Sequence, residues 1–399
     1  MAASTPNHEP PAVRAISPNA NLAKLAAEIH IEIAEMLEDK ELRVLRQVCR
    51  ALAKDTTDVF AKRFFSMMNV SLDIKSLQRF VEMTNISYLA KWMKRIKLRP
   101  EPWCRIDGRK TFKRDALTQS FRNLSLLGAG KSIGTSGVWP PASDYKIIGH
   151  ALADSRHVID DLKLEWGDWM LGPALFQPID VERMQVLFQT WAKLRVLRIN
   201  PLNRFNFETM GGGFHRLFLS AFQITSLYLS MNDIGQVDQF DLRHYPILNE
   251  VFSLKHLRQL RLGGVRTNVS YMTDVVLNGR SSLKELVLSR CTIWDGHEPL
   301  LWPIVLNHIA DELHLTSFQA VHLKGGDDYK GFHQGYFCDC DGSHGFKYEG
   351  SKEDIRAKIK QLAETGGHSG MWEIEHKGED EDWWEVEDEG DDEDWWLRE

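Results

Sequence analysis

Ile224-Thr-Ser-Leu227-Tyr-Leu229-Ser-Met-Asn232-Asp-Ile234 fits the pattern L-x-x-L-x-L-x-x-N-x-L at every specified position, and Leu283-Lys-Glu-Leu286-Val-Leu288-Ser-Arg-Cys291-Thr-Ile293 fits it again with Cys in place of Asn. In a strand, successive side chains point to opposite faces, so the L-x-L pair sends two side chains to one side. The apolar residue three positions earlier packs the turn before the strand. Asn232 and Cys291 stand where the chain leaves the strand and can hydrogen-bond a neighbouring backbone there. Clear further copies are Leu257-x-x-Leu260-x-Leu262 and Leu194-x-x-Leu197-x-Ile199. Partial copies are Ile159-x-x-Leu162-x-Leu164, Phe121-x-x-Leu124-x-Leu126, Met93-x-x-Ile96-x-Leu98 and Ala310-x-x-Leu313-x-Leu315. Aligned on the fourth position, Ile96, Leu124, Leu162, Leu197, Leu227, Leu260, Leu286 and Leu313 are spaced 28, 38, 35, 30, 33, 26 and 27 residues apart. A unit of this length cannot bury its own apolar face, so the units have to stack. The expected architecture is α/β: an irregular, horseshoe-like solenoid over residues 67–323. Its strands form a parallel sheet, and segments such as 183–191 and 269–277 supply helices on the other side. The long spacings imply protruding loops, the Gly/Ser/Pro-rich run 128–143 being the plainest.

Upstream of the repeats the pattern is helical. Residues 1–20 hold Pro6, Pro10, Pro11 and Pro18, show no periodicity, and are expected to be a disordered leader. From Leu22, apolar residues recur at three- and four-residue steps (Leu25, Ala26, Ile29, Ile33, Met36, Leu37), which marks an amphipathic helix. Asp39 is the expected N-cap of a second helix carrying Leu42, Leu45, Val48, Cys49 and Leu52, and a third run carries Val59, Phe60, Phe64 and Phe65. Three short helices within residues 21–66 make a domain too small to bury a full core alone.

Downstream of Leu323, residues 324–350 are rich in Gly, Asp and aromatics and are expected to be loop. Ile355, Ile359 and Leu362 then mark one helix, the two together forming a segment 324–372. Residues 373–399 hold 15 Asp/Glu against Lys377 and Arg398, and include a near-duplicate, Glu379-Asp-Glu-Asp-Trp383-Trp384 and Asp391-Asp-Glu-Asp-Trp395-Trp396. Like charges should keep this tail extended and disordered. Three readings stand for it: a ligand for a basic groove on a partner, a solvated tail, or a segment folded back on the molecule's own basic surface. The formal net charge of −7 over 399 residues therefore averages a mildly basic body with an acidic end.

The N-terminal segment resembles the F-box. The family's L-P-x-E-[IL] opening corresponds to Leu25-Ala26-Ala27-Glu28-Ile29, with Ala26 where proline is usual. Ile33 and Leu37 follow, and Leu42-Arg43-Val44-Leu45-Arg46-Gln47-Val48-Cys49-Arg50 matches the closing block. With leucine-rich repeats behind it, the chain is similar to the F-box proteins with degenerate repeats of fungal type. The resemblance implies a substrate-recognition adaptor of a Skp–cullin–F-box ubiquitin ligase, without covalent chemistry of its own. In that reading the F-box docks a Skp-type adaptor and thereby the cullin complex, and the repeats hold a protein substrate. The residues carried over are Leu25, Ala26, Glu28, Ile29, Ile33, Leu37, Leu42, Leu45, Val48 and Leu52, some as contacts and some as core. Leu25 and Ile29 are assigned to the contact surface. A protein-interaction scaffold outside any ligase is the alternative.

Other chemistry finds less purchase. Gly128-Ala-Gly130-Lys131-Ser132 looks like a phosphate loop, but Ser125 stands where its first glycine belongs and no helix-forming stretch follows. His333, Cys338, Cys340 and His344 have zinc-ligand chemistry but a cramped C-x-C spacing, and a loop with ordinary thiols is the competing reading. No catalytic constellation stands out, so neither an enzyme nor a cofactor is expected. Residues 40–114 carry 19 Lys/Arg against 7 Asp/Glu, dispersed over amphipathic helices without a nucleic-acid reader motif, so no nucleic-acid partner is expected. Five cysteines without a framework, no apolar leader and no long apolar run point to a cytoplasmic or nuclear protein away from membranes.

Overall fold

The computed structural model describes residues 22–99, 110–135, 142–166, 181–201, 220–230, 240–241, 255–293, 301–321, 323–325 and 345–365. A 3₁₀ turn, Leu22–Lys24, leads into four helices: α1 (Ala27–Met36), α2 (Asp39–Val48), α3 (Arg50–Asp55) and α4 (Thr57–Phe65). Three were expected. The second run divides because Cys49 is extended, with φ −160° and ψ 162°, although no Gly or Pro marks the break. The cap of α2 is Glu38 rather than Asp39. Its side chain accepts from the backbone of Glu41, and its own N–H donates to the Glu41 carboxylate at 3.0 Å. Arg63 of α4 reaches back to donate to the Leu37 and Glu35 carbonyls, which closes the otherwise unsatisfied end of α1. Leu42, Leu45, Leu52 and Ala34 form a small buried cluster, with Phe60 and Phe64 packed against it.

From Met67 the chain alternates. In order come β1 (Met67–Ser71), α5 (Ile74–Asn85), α6 (Ser87–Ala90), β2 (Arg95–Arg99), α7 (Lys110–Leu126), β3 (Ser132–Thr135), α8 (Ala142–Ser155) and β4 (Asp161–Trp166). Then follow α9 (Val181–Trp191), β5 (Val196–Pro201), β6 (Ser226–Ser230), β7 (Phe240–Asp241), β8 (Gln259–Gly263), β9 (Val265–Thr267) and α10 (Val269–Gly279). The last elements are β10 (Glu285–Ser289), β11 (Thr292–Ile293), α11 (Leu301–Glu312), β12 (Ser317–Val321), β13 (Lys324–Gly325), β14 (Gly345–Glu349) and α12 (Lys352–Thr365). The main sheet is open and ten-stranded, in the order β1-β2-β3-β4-β5-β6-β8-β10-β12-β14, parallel except for the final antiparallel pair. A second, short parallel sheet runs β13-β11-β9-β7. Residues 324–350 thus contain two strands where loop was expected.

Strand positions follow the L-x-L pattern where it is strong. Ile96, Ile133, Leu162, Leu197, Leu227, Leu260, Leu286 and Phe318 pair in one continuous row. All are at most 3% exposed. The residues three positions earlier, Met93, Ile159, Leu194, Ile224, Leu257, Leu283 and Leu315, are buried as well. Between units, the carbonyl before one strand accepts two amides of the next: Arg195 takes Thr225 and Ser226, Thr225 takes Arg258 and Gln259, and Arg258 takes Lys284 and Glu285, at 2.8–3.0 Å. These turns thereby satisfy their backbone through their neighbours.

Two of the eight aligned positions are corrected. Leu124 belongs to α7, where Phe121 and Leu124 share the buried face while Leu126 is 86% exposed. The strand there centres on Ile133, and the position three before it is Gly130. A Cβ at Gly130 would lie 2.9 Å from Leu124 Cδ1 and 3.0 Å from Ile96 Cδ1, so the α7 leucine occupies the space that the repeat leucine fills elsewhere. Leu313 lies just past α11, and the true unit is Leu315-x-x-Phe318-x-Ala320, whose Phe and Ala hide it from a leucine pattern. The sheet also starts one strand earlier than expected, at Met68 and Val70. The helices pack in succession, α5 on α7, α7 on α8, α8 on α9, α10 on α11 and α11 on α12, and one apolar core runs from Met68 to Ala363. The opposite face of the sheet carries the alternate, more exposed residues.

Candidate partner-binding surfaces

Burial sorts the ten carried-over N-terminal residues. Leu42, Leu45 and Leu52 are core, and Ile33 and Leu37 are half-buried against it. Leu25, Ala26, Glu28, Ile29 and Val48 are exposed, Leu25 at 44%, Ile29 at 40% and Val48 at 63%. Met36 at 83% and Val44 at 61% join them, two residues read in the helical pattern and the closing block but not among the ten carried over. On α1, Ile29 and Met36 are seven apart, and on α2, Val44 and Val48 are four apart, so each helix shows an apolar stripe outward as well as one inward. Ala26, at φ −63° and ψ 151°, holds the backbone range of a proline without the ring.

His30 locks the approach to α1. It is 1% exposed, and its Nδ1 meets the Asp55 carboxylate at 2.7 Å while Nε2 meets the Leu22 carbonyl at 2.8 Å. A carbonyl and a carboxylate facing the two ring nitrogens favour the doubly protonated ring. The Leu22 carbonyl and then Asp55 raise its pKa above the ordinary 6.5, against the cost of burial. Arg46 and Arg43 stack over Phe60 and Phe64 at 4.3 and 4.7 Å. Part of the basic charge of residues 40–114 is therefore structural. Asp58 on α4 accepts from Lys91 at 3.0 Å and Trp92 at 3.2 Å, which ties the helical cluster to the first unit of the sheet.

The second surface is the face of the main sheet opposite the helix layer. Register aligns its middle row as Asn69, Lys97, Gly134, Lys163, Arg198, Tyr228, Arg261, Val287, Gln319 and Lys347. Five cations share that row with no acid. Tyr228 is 9% exposed, yet it lies outside the apolar core; Arg198 and Arg261 cover its ring at 5.1 and 5.0 Å. Burial lowers the Arg261 guanidinium to about 10, against the raising influence of Tyr228 and Glu285, so it stays cationic at neutral pH. The adjacent row carries the acids Asp161, Glu285 and Glu349. Asp161 lies 3.7 Å from Arg198, and Ser132 donates to it at 3.2 Å. Gln259 accepts from Ser226 at 2.6 Å and Tyr228 at 3.2 Å, and donates to Glu285 at 2.7 Å. The sequence hid this row because its members are separated by whole repeats, though the x of each L-x-L marks them once the register is known.

The remaining motifs resolve unevenly. Gly128 and Gly130 have φ of +63° and +64° and turn the chain straight into β3; Lys131 pairs with Asp160 at 3.5 Å, and the residues directly after it form that strand rather than the helix a phosphate loop opens. Cys291 is fully buried, donates to the Leu262 carbonyl at 3.3 Å, and is pushed up to about 12 by burial, so its thiol is structural. Asn232, the Cys338/Cys340 group with His333 and His344, and the tail lie outside the described residues. Among the described residues no cluster of His, Cys, Asp or Glu is placed to hold a metal, and no helix is long and apolar enough to cross a membrane. On the helix layer, Asp154 accepts from Arg183 at 2.7 Å and lies 3.7 Å from Arg114, so the charges of that depression pair with one another. No family model matches the chain, and no curated protein matches it.

Proposed function

We propose that the chain is a substrate-recognition adaptor of a Skp–cullin–F-box type ubiquitin ligase, built from an F-box and an irregular leucine-rich-repeat solenoid. The observation that carries this is the N-terminal helical cluster. It is locked by His30, Arg46 and Arg63 around a core of four small or medium residues, yet it leaves Leu25, Ile29, Met36, Val44 and Val48 exposed. Apolar residues held outward on a rigid frame are what a docking surface for a helical partner requires. The sheet face opposite the helices supports the second half of the reading, a broad polar surface suited to a protein partner. The chain then acts by proximity: it raises the effective concentration of substrate at the ubiquitin-charged enzyme. Its substrate is a protein, and its other partners are the Skp-type adaptor and the cullin behind it.

The test is capture of a Skp-type adaptor by the full chain and by its Leu25→Asp/Ile29→Asp variant. Both sites are exposed, so the fold should survive, and adaptor capture is expected to fall about tenfold or more. A folded variant that captures adaptor undiminished sinks the proposal. Ala26 favours a second reading, a scaffold that is not part of a ligase, because the ring of the usual proline is missing from the contact. Recovery of adaptor without cullin selects that reading.

A further inference from the structure

We propose that one rim of the repeat stack, formed by the turns that lead into β5, β6, β8 and β10, is the docking site of the chain's own acidic tail, residues 373–399. The rim is where the parallel strands begin, and it is neither the face of the sheet nor the N-terminal helical cluster. This goes beyond the ligase proposal and does not depend on it.

Backbone hydrogen bonds put Arg195, Thr225, Arg258 and Lys284 in one file, the N–H of each on the carbonyl of the one before at 2.8 Å. The same turns add Lys193, Lys255 and Arg280. All six cations are exposed, and none has an ion pair among the described residues; Lys284 only reaches the His314 carbonyl at 3.4 Å. The turns 192–195, 221–225, 255–258 and 280–284 contain no acid. Glu285 follows Lys284, accepts from Gln259 at 2.7 Å and acts on Arg261. On the flank, Asp160 pairs with Lys131 at 3.5 Å and Asp161 lies 3.7 Å from Arg198. The C-terminal ends of α9 and α10 point at the rim and contribute about half a negative charge each. Across the whole stretch 193–285, with every acid counted, 12 Lys/Arg stand against seven Asp/Glu. The excess is therefore positive whatever those acids touch. In the middle of the rim, between the turns of β5 and β8, Phe222 is 50% exposed. A phenyl ring flanked by cations fits a ligand that alternates acid with aromatic. The tail is such a segment: 15 acids against two bases, in two blocks that each end in a tryptophan pair, Trp383-Trp384 and Trp395-Trp396.

Reach is ample. α12 sets out from this same rim, since Gly350 N–H donates to the Thr316 carbonyl at 3.3 Å and the helix follows from Lys352 to Thr365. At ~1.5 Å per residue its far end lies about 21 Å away, and the turn of β5 lies four strands along the sheet, roughly 19 Å at ~4.8 Å each. The return path is therefore roughly 30 Å, whereas the chain from Thr365 to Glu379 spans up to about 46 Å at ~3.3 Å per residue. A tethered ligand acts at an effective concentration of ~1 mM or below, so an acidic partner in trans meets the rim only after displacing the tail.

Two measurements on the full chain test this. Zero-length carbodiimide cross-linking at low protein concentration should join tail carboxylates to Lys193, Lys255 or Lys284, with a yield that does not depend on protein concentration. The yield should drop about fivefold or more at about 0.5 M salt, where the Debye length shrinks to a few ångströms. Arg195→Ser/Arg258→Ser should lower it as far. Phe222→Ser should lower it without any change of charge, and all three sites are exposed, so the fold should survive. Next, a labelled synthetic 373–399 peptide should bind a full chain whose tail acids 379–382 and 391–394 are changed to their amides about tenfold tighter than it binds wild type, because the rim is then vacant. Cross-links concentrated on Lys40, Lys54 or Lys62 overturn the proposal, as does a yield that rises with protein concentration, which would place the tail on a second copy. Equal peptide binding to both chains overturns it too. So does a tail-amidated chain that gains affinity for an oligothymidylate but not for the peptide, which would make the rim a nucleic-acid surface.

Discussion

Two buried histidines give the molecule opposite pH responses. The pKa of His30 is raised, so its contribution is complete below about 6.5 and is lost as pH rises through the folded value. His157 is the reverse. It is 1% exposed, stacks on Phe121 at 5.5 Å, and donates Nε2–H to the Gly130 carbonyl at 2.8 Å, while its Nδ1 is buried without a partner. Burial holds its pKa below 6.5, so its contribution is present above that pH and is lost as pH falls through the folded value. Stability measured by denaturant unfolding is expected to peak near neutrality. His30→Gln should flatten the alkaline limb and His157→Gln the acidic limb. A variant that shifts both limbs equally would contradict the assignment.

At the scale of the element, the unit around β3 shows how a repeat tolerates a missing leucine. Gly130 supplies the left-handed turn, φ +64°, and Leu124 of α7 fills the position a leucine would occupy. Gly130→Ala meets both the φ and the 2.9 Å contact with Leu124, and should cost about 1–3 kcal/mol. The double variant Gly130→Ala/Leu124→Ala should fall short of additivity, since removing the leucine relieves the clash; urea midpoints across the cycle measure this. The same unit explains why the sequence misplaced a strand. Phe121-x-x-Leu124 has a three-residue step that suits a helix face as well as a turn and strand, and Ile133 lies in Ser-Ile-Gly-Thr, a segment with a single large apolar residue. The N-terminal helices were legible because their periodicity is strong. The break at Cys49 was not, since it depends on packing rather than on a helix-breaking residue.

For the whole molecule, the governing fact is that each strand pairs only with its sheet neighbours and the helices pack in succession. The C-terminal end is closed by α12, whose Ile355, Ile359 and Leu362 join the core, and by Asp311, which accepts from Arg356 at 2.6 Å and Lys360 at 2.7 Å. Ile359→Ala should cost about 2–5 kcal/mol by opening a cavity. Because coupling decays along such a stack, the loss should be local. Amide exchange is expected to accelerate most in β12 and β14, less in β10, and least in β1 and β2. Uniform acceleration across all ten strands would show instead that the sheet unfolds as one unit.

The sequence by itself determined the α/β alternation, most strand positions, the helical front and the opposition of a basic body to an acidic end, because each is written in residues close together along the chain. Only the tertiary structure decided which N-terminal apolar residues face inward, that Leu124 substitutes for a side chain at Gly130, and that Lys97, Lys163, Arg198, Tyr228, Arg261 and Lys347 form one line. Burial and register are relations between residues that lie whole repeats apart. A one-residue shift in any strand would send its member of that line to the core face, so the line exists only once every turn length has been settled by packing.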